Sequence, residues 1–392
     1  MSLSIAENIQ FQDPKDIFSN EYYINFNADW NNPHVPSPLK IIDSLNNLQI
    51  NFTYFKLFSR EIKVLDALSK NNKKILVAFN NWELKKILED PYFALNEVLK
   101  LYPYRNSIST VIIGNEPLGI WYNNTFKKYL APATFEISKL VKEYLPNSDI
   151  TIPFNFAIFK NTYPPSNSVL HHNDKFTVLE CISIIQNHSL SSPFMINIYP
   201  FLTYLMNKNN IDFDFAIGNP TFSIVYDKPY IYNSLMALMY DSVVVALEKE
   251  NIHIQIDIGE IGWPSKGNKY TNNYKHCLAI NNLIIQQKVG TPRYPYPIKT
   301  YLFEAIDESW KDISAGKTER HWGLFTNDVT YKCNKYSFLS TNPQISPFIL
   351  TVGLFSFCLP FLYFIYIVCF KKYKKKNYNY YQVNYSKYET IL

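Results

Sequence analysis

Glu116 and Glu260 are the residues in this chain best placed to do chemistry. Each closes a strand-like apolar run, TVIIGNEPL over Thr110–Leu118 and IHIQIDIGEIGWPS over Ile252–Ser265. Two carboxyls brought from distant strands to one end of a barrel can share the breaking of a glycosidic bond. One protonates the leaving oxygen and the other attacks the sugar carbon. A lone glutamate at a strand end is by default a solvated surface carboxylate. The pair gains meaning only if the rest of the chain brings both carboxyls to one place.

The chain carries the pattern of such a frame. Apolar runs that read as strands fall at Tyr22–Phe26, Phe52–Phe58, Ile75–Phe79, Ile108–Gly114, Ile150–Phe154, Phe194–Ile198, Ile252–Ile258 and Thr300–Ala305. Helix-like stretches between them include Leu39–Asn46, Glu61–Ser69, Pro91–Leu101, Ala133–Tyr144 and Ser234–Glu250. Strands alternating with helices over this length predict a (β/α)8 TIM barrel at residues 22–336. Such barrels carry their reactive groups at strand C-terminal ends, and Glu116 and Glu260 follow the fourth and seventh runs.

Composition narrows the function classes. The chain has 392 residues, 47% hydrophobic and 18% charged, enough apolar material for a large core. Its net charge of +5 sits in the last 22 residues, where six Lys and Glu389 give 6 − 1 = +5. Residues 1–370 are therefore about neutral, which argues against a nucleic-acid partner. With only 10 Gly there is no phosphate-cradling loop, and no Gly-x-Ser-x-Gly elbow occurs. His171-His172 lacks a third metal ligand at suitable spacing and reads as a solvated loop. Cys358 and Cys369 lie in an apolar segment. That leaves Cys181, Cys277 and Cys333, which allow at most one disulfide and assign none.

The C-terminal region predicts an anchor. Residues 348–370 form an uncharged stretch that, at ~1.5 Å per residue, is long enough for a single transmembrane helix. It follows a short linker at 337–347 and precedes a basic tail at 371–392. Lysines directly after the span place the tail in the cytoplasm and the barrel on the lumenal or extracellular side. Residues 1–21 show no basic start followed by an apolar core, hence no signal peptide. That points to a start upstream of Met1, or else to insertion by the tail with the barrel left in the cytosol. Sequons at Asn51, Asn123 and Asn187 permit a secretory life, and YYQV and YETI in the tail resemble tyrosine-based sorting signals.

Taken in order, these segments resemble glycoside hydrolase family 17, the endo-β-1,3-glucanases and related glucanosyltransferases. GEIGWPS at Gly259–Ser265 resembles the family's nucleophile signature, and IIGNEP at Ile112–Pro117 is similar to its acid/base strand. VPSP (Val35–Pro38), YPPS (Tyr163–Ser166), NIYPF (Asn197–Phe201), YLFEAIDESWK (Tyr301–Lys311) and ERHWGLF (Glu319–Phe325) complete the series. The resemblance implies a β-glucan substrate, a retaining mechanism and no cofactor, with Glu260 as nucleophile and Glu116 as acid/base, their carboxyls ~5–5.5 Å apart. It implies that Asn115 bonds the sugar 2-hydroxyl and that Glu308, Lys311 and Glu319 orient Glu260 and substrate. Asn197 and Tyr199 would line the cleft, and Trp263 would stack on sugar, as would Trp322 if neither ring is core. The sequence departs from the family where Tyr-Gly becomes Phe26-Asn27 and Arg-Leu-Tyr-Asp becomes Lys56-Leu57-Phe58-Ser59, which removes two tyrosine hydroxyls. Endohydrolysis is the leading expectation and glucanosyl transfer the runner-up. The lost hydroxyls motivate a third reading, a non-catalytic surface glucan receptor. Oligomeric state is left open.

Overall fold

The computed structural model describes residues 21–335 apart from 49, 91, 220–223 and 315. The chain divides into one unit over Met1–Leu339 and a second over Ser340–Leu392. The expected linker, transmembrane helix and tail, like the N-terminal segment up to residue 20, lie outside the described residues. Among the described residues no helix is long and apolar enough to cross a membrane.

Nine strands build one sheet: β1 (Tyr22–Asn25), β2 (Phe52–Lys56), β3 (Lys74–Phe79), β4 (Ile108–Ile113), β5 (Asp149–Thr151), β6 (Pro153–Asn155), β7 (Phe194–Asn197), β8 (Ile256–Ile261) and β9 (Thr300–Leu302). All pairings in it are parallel, in the order β5-β4-β3-β2-β1-β9-β8-β7-β6. The two ends of that order are halves of one extended segment joined by Ile152, so the sheet curls back on itself as a nearly closed TIM-like barrel. The expected fifth strand, Ile150–Phe154, is thus split. Its first half pairs with β4 and its second with β7.

Alternation along each strand sorts side chains to two faces. Inside the barrel, Tyr23, Leu76, Ala78, Ile112, Met195 and Tyr301 form a small cluster with Tyr54 against it. The larger core lies between the sheet and the helices. One pleat further along the inner face stand Asn25 after Tyr23, Lys56 after Tyr54 and Asn197 after Met195. The inner face therefore changes from apolar to polar at the C-terminal end.

Element bounds shift in two instructive places. The helix expected from Ala133 starts at Lys127 and runs to Tyr144 through Pro132. Pro132 and Lys128, whose carbonyl loses its partner, are both exposed, so the lost bond faces solvent rather than the core. The strand expected at Ile252–Ile258 begins instead at Ile256 and includes Glu260. Two helices the apolar pattern did not single out, His172–His188 and Asn273–Val289, bury polar side chains (Thr177; His276 and Gln287) among their apolar ones. His171 is the N-cap of the first of these, its Nδ1 accepting from the Asn173 amide at 3.2 Å.

The cysteine question resolves into one pair. Cys277, on helix Asn273–Val289, is bonded to Cys333 across 56 residues, and Cys181 is free and buried. Closing a loop of that length restricts the unfolded chain by about 4 kcal/mol in the chain-entropy account. Reduction, or Cys277→Ala with Cys333→Ala, is expected to lower unfolding free energy by about 2–4 kcal/mol in denaturant titrations. An unchanged midpoint would refute the crosslink's stabilising role.

Candidate active site

The site starts from the bend that ends β4. Gly114 takes φ +73° and Glu116 φ +50°, a left-handed backbone unusual for a residue with a Cβ. Hydrogen bonds hold that conformation. The Glu116 amide donates to the Pro153 carbonyl at 2.8 Å, and Asn81 exchanges two bonds with the Asn115 backbone at 2.9 and 2.7 Å. Gly114 cannot be larger, since a Cβ there would lie 2.6 Å from Asn81 Oδ1.

Glu260 reaches the barrel interior by a register slip. Against β7, Ile258 pairs with Ile196 while Glu260 pairs with Asn197, two steps against one. Simple alternation would point Asp257 and Gly259 inward, and a bulge of this kind re-aims the next side chain. Gly259 leaves the room: a Cβ there would meet Asn197 Oδ1 at 2.7 Å. The Glu260 carboxylate is buried, with Lys56 Nζ 2.8 Å from Oε1 and the Tyr199 hydroxyl donating to Oε2 at 2.7 Å. Burial and the Glu260 charge keep the Tyr199 hydroxyl protonated, its pKa well above the usual range.

Lys56 also donates to Asn25 Oδ1 at 3.0 Å, and Asn25 Nδ2 contacts the carbonyls of Gly259, Tyr301 and Leu302 at 3.0 to 3.3 Å. Burial lowers the Lys56 pKa, and the charges of Glu260, Glu116 and Glu304 oppose that shift. Removing one partner of a buried ion pair leaves the other uncompensated, at about 3–5 kcal/mol. Lys56→Met is therefore expected to destabilise the barrel by about that amount. Lys56→Met combined with Glu260→Gln should be less destabilised than the sum of the two single changes in denaturant unfolding. Strict additivity would show that the pair is not coupled.

Asn197 joins the two carboxyls' surroundings, its Nδ2 donating to Glu116 Oε1 at 2.9 Å. The Glu116 pKa is raised to about 7, by burial first and then by the Glu260 charge, against hydrogen bonds from Asn197 and Asn155 and the Lys56 charge. A carboxyl held partly protonated beside an ion-paired carboxylate is the split of roles that acid-plus-nucleophile chemistry needs.

A third group lies beyond β9. Asn27 Nδ2 donates to Glu308 Oε1 at 2.7 Å, Lys311 stands 3.0 Å from Glu308 Oε2, and Glu319 lies 3.8 Å from Lys311. Burial alone would lower the Lys311 pKa, but Glu304, Glu308 and Glu319 outweigh it and raise it. Glu304, 1% exposed, is pushed well above the carboxylate range, by burial first and then by the Glu308 charge.

Most of the expected site residues converge here. Asn115 offers a buried Oδ1 without a partner, and Asn197 and Tyr199 bond the two glutamates rather than only lining a wall. Trp263 is a correction. It is 1% exposed and packs edge-on against Phe201 and Phe213, so it cannot stack on a ligand. The chain turns inward after β8 at Gly262, where a Cβ would sit 2.2 Å from the Phe303 carbonyl oxygen. Trp322 is equally buried, its ring against Tyr199 and Phe303. Of the two departures, Phe26 is core, packed on Phe55 and Trp30, while Phe58 lies half-buried under the Lys56 ammonium at 4.1 Å. The sequence marks Lys56 and Asn27 only as departures from the family pattern and does not single out Asn25, Asn81 or Glu304. The usable signal was a polar residue ending an otherwise apolar strand, in YYIN and FTYFK.

A family model described as glycosyl hydrolases family 17 matches residues 24–337. The chain is 31% identical over 332 residues to glucan endo-1,3-beta-glucosidase 9 of Arabidopsis thaliana, covering 81% of this chain and 68% of that protein. Its fold is similar to that of CJP38, a beta-1,3-glucanase and allergen of Cryptomeria japonica pollen. The TM-score there is 0.73 at 27% identity, over 79% of this chain and 97% of that one. A Rhizomucor miehei beta-1,3-glucanosyltransferase shares the fold more distantly, with TM-score 0.51 and 16% identity over 80% of this chain and 95% of that one. The match spans the barrel from its first strand past its last, and the chain belongs to family 17 of the glycosyl hydrolases.

Proposed function

We propose that the protein hydrolyses internal β-1,3-glucosidic bonds of β-glucans with retention of anomeric configuration. The observation that carries this reading is the unequal pair: Glu260 held by Lys56 and Tyr199, and Glu116 raised to about 7 at the same barrel end. Glu116 gives its proton to the glycosidic oxygen while the Glu260 carboxylate attacks the anomeric carbon, forming a glycosyl ester. Esterification removes the Glu260 charge that helps raise the Glu116 pKa. Glu116 then becomes the better base, takes a proton from water, and the hydroxide displaces Glu260. The unpartnered Oδ1 of Asn115 is suited to accept from the sugar 2-hydroxyl, and Asn27, Glu308, Lys311 and Glu319 supply polar contacts around the ring. Naming of the relatives as endo-1,3-glucosidases supports the linkage.

The barrel is proposed to face the lumen or exterior, anchored by residues 348–370. The Cys277–Cys333 bond suits an oxidising compartment, and the sequon residues Asn51, Asn123 and Asn187 are all exposed. Protease protection in sealed membranes tests this: a tail epitope digested while the barrel survives is the expected result, and the reverse rejects it.

The activity test incubates the full chain, in mild detergent, with linear β-1,3-glucan and sizes the products. Short oligosaccharides are expected. Products longer than the starting chains would mean transfer to sugar hydroxyls, and binding without any turnover would leave a receptor.

A further inference from the structure

Large aromatic rings are exposed on the barrel's C-terminal rim without an evident structural task. Trp82 is 72% exposed and Trp121 56%. Trp82 follows β3 and Trp121 follows β4, so both belong to the end that carries Glu116. Their loops are joined by the two bonds between Asn81 and Asn115, the residues next to Trp82 and Glu116.

The rings are braced rather than loose. Trp82 meets Phe126 edge-on at 4.8 Å and Tyr122 at 6.5 Å, Tyr122 meets Phe126 at 4.8 Å, and Trp121 lies 5.8 Å from Tyr122. Phe126 is buried and anchors the group. Trp121 folds over Gly119, where a Cβ would come within 2.5 Å of its ring. Isolated exposed apolar residues need no explanation, but a braced and contiguous aromatic surface marks a contact site.

We infer that Trp82 and Trp121 form a stacking platform for glucose units of a β-glucan chain on the Glu116 side of the cleavage point. The occupant follows from continuity with the site, because the loops after β3 and β4 border Glu116 and are tied together beside it by the Asn81–Asn115 bonds. The C–H faces of glucose rings are apolar and pack on aromatic faces, while the hydroxyl edges stay in water. Such a platform adds binding only for chains long enough to reach it. The inference rests on the proposed glucan substrate and extends it to a contact remote from the two carboxyls.

The test uses the full chain with Trp82→Ala, Trp121→Ala, the double change and Gly119→Ala. Gly119 has φ −55°, which alanine accepts, so that variant displaces the Trp121 ring without strain in the backbone. Because both rings are exposed, thermal unfolding should barely move. On long β-1,3-glucan, kcat/KM should fall roughly 3- to 10-fold for each tryptophan lost, mainly through KM. On the shortest cleavable oligosaccharide it should stay within about twofold of the parent. Equal losses at every length, or no loss at any length, overturn the platform. If the parent cleaves no glucan, the proposed function fails, and sedimentation with insoluble β-1,3-glucan still decides the platform. Retention lost in the double variant supports it, and retention unchanged or absent in the parent overturns it.

Discussion

Replacing Glu260 with glycine is expected to reduce turnover of β-1,3-glucan by about 10⁴-fold or more, since the covalent step then has no attacking group. Glu260→Gln should be equally inactive on polymer. The glycine variant opens space, so azide should restore turnover of an aryl β-glucoside bearing a good leaving group. The product should be the α-glycosyl azide, because azide attacks from the side the carboxylate has vacated. That anomer assigns the role of nucleophile to this residue. Loss of the Lys56 partner costs stability, and azide rescue separates that cost from catalysis, because only a folded site can return the α-glycosyl azide. Activity within tenfold of the parent would sink the assignment of Glu260.

Glu116→Gly is expected to give a different signature. Unactivated glucan needs its leaving oxygen protonated, so its turnover should fall about 10²- to 10⁴-fold. An aryl glycoside with an acidic phenol needs no such help, and its glycosylation step should change far less. Azide should now yield the β-glycosyl azide, the product of attack on the glycosyl ester from the face that water normally uses. The pH profile makes a second check. Glu116 titrates at about 7 and must be protonated to act, so the parent's kcat/KM on glucan should decline above about pH 7. In Glu116→Gln that limb should vanish.

The same shift makes stability, like activity, fall as pH rises. The folded protein holds the Glu116 proton more tightly than the unfolded chain, which releases it near 4.5. Its contribution is therefore complete below 4.5 and is lost as pH rises to about 7. Above that pH, Glu116→Gln should unfold at higher denaturant than the parent, by on the order of 1–2 kcal/mol after allowing for partial solvent contact. A variant no more stable than the parent at pH 8 would argue that the carboxyl is not strained by its surroundings.

Much of this was legible in the residues. GNEP and GEIGWPS mark two strand ends, and the apolar runs between turns account for the barrel strands to within a few residues. Strand bounds erred where a covered sheet face removes the cue. The segment from Ile252 to Ile258 alternates convincingly, yet its first residues are irregular and the strand extends to Ile261. For Trp263 the sequence leaves sugar stacking and core packing both open, and only its burial at 1% exposure, with Gly262 packed against Phe303, decides for core. Lys56 reads only as one position of a departure from the family pattern, although it holds the buried carboxylate directly.

What the sequence by itself determined is the supply of parts and their order: two glutamates at strand ends, an apolar alternation that builds a parallel barrel, and a lysine-flanked apolar segment after it. These follow from local chemistry, since strand and helix patterns depend on residues a few positions apart. What only the tertiary structure decided is which parts touch. Lys56 and Glu260 are 204 positions apart, and Asn197 and Glu116 are 81 apart, yet each pair is in hydrogen-bond contact. A hydrogen bond forms within tenths of an ångström, and here that precision depends on the break at Ile152, the register slip before Glu260 and the small residues at 114, 259 and 262. None of these is a property of a local pattern. They arise where strands distant in the chain are forced to close a single barrel.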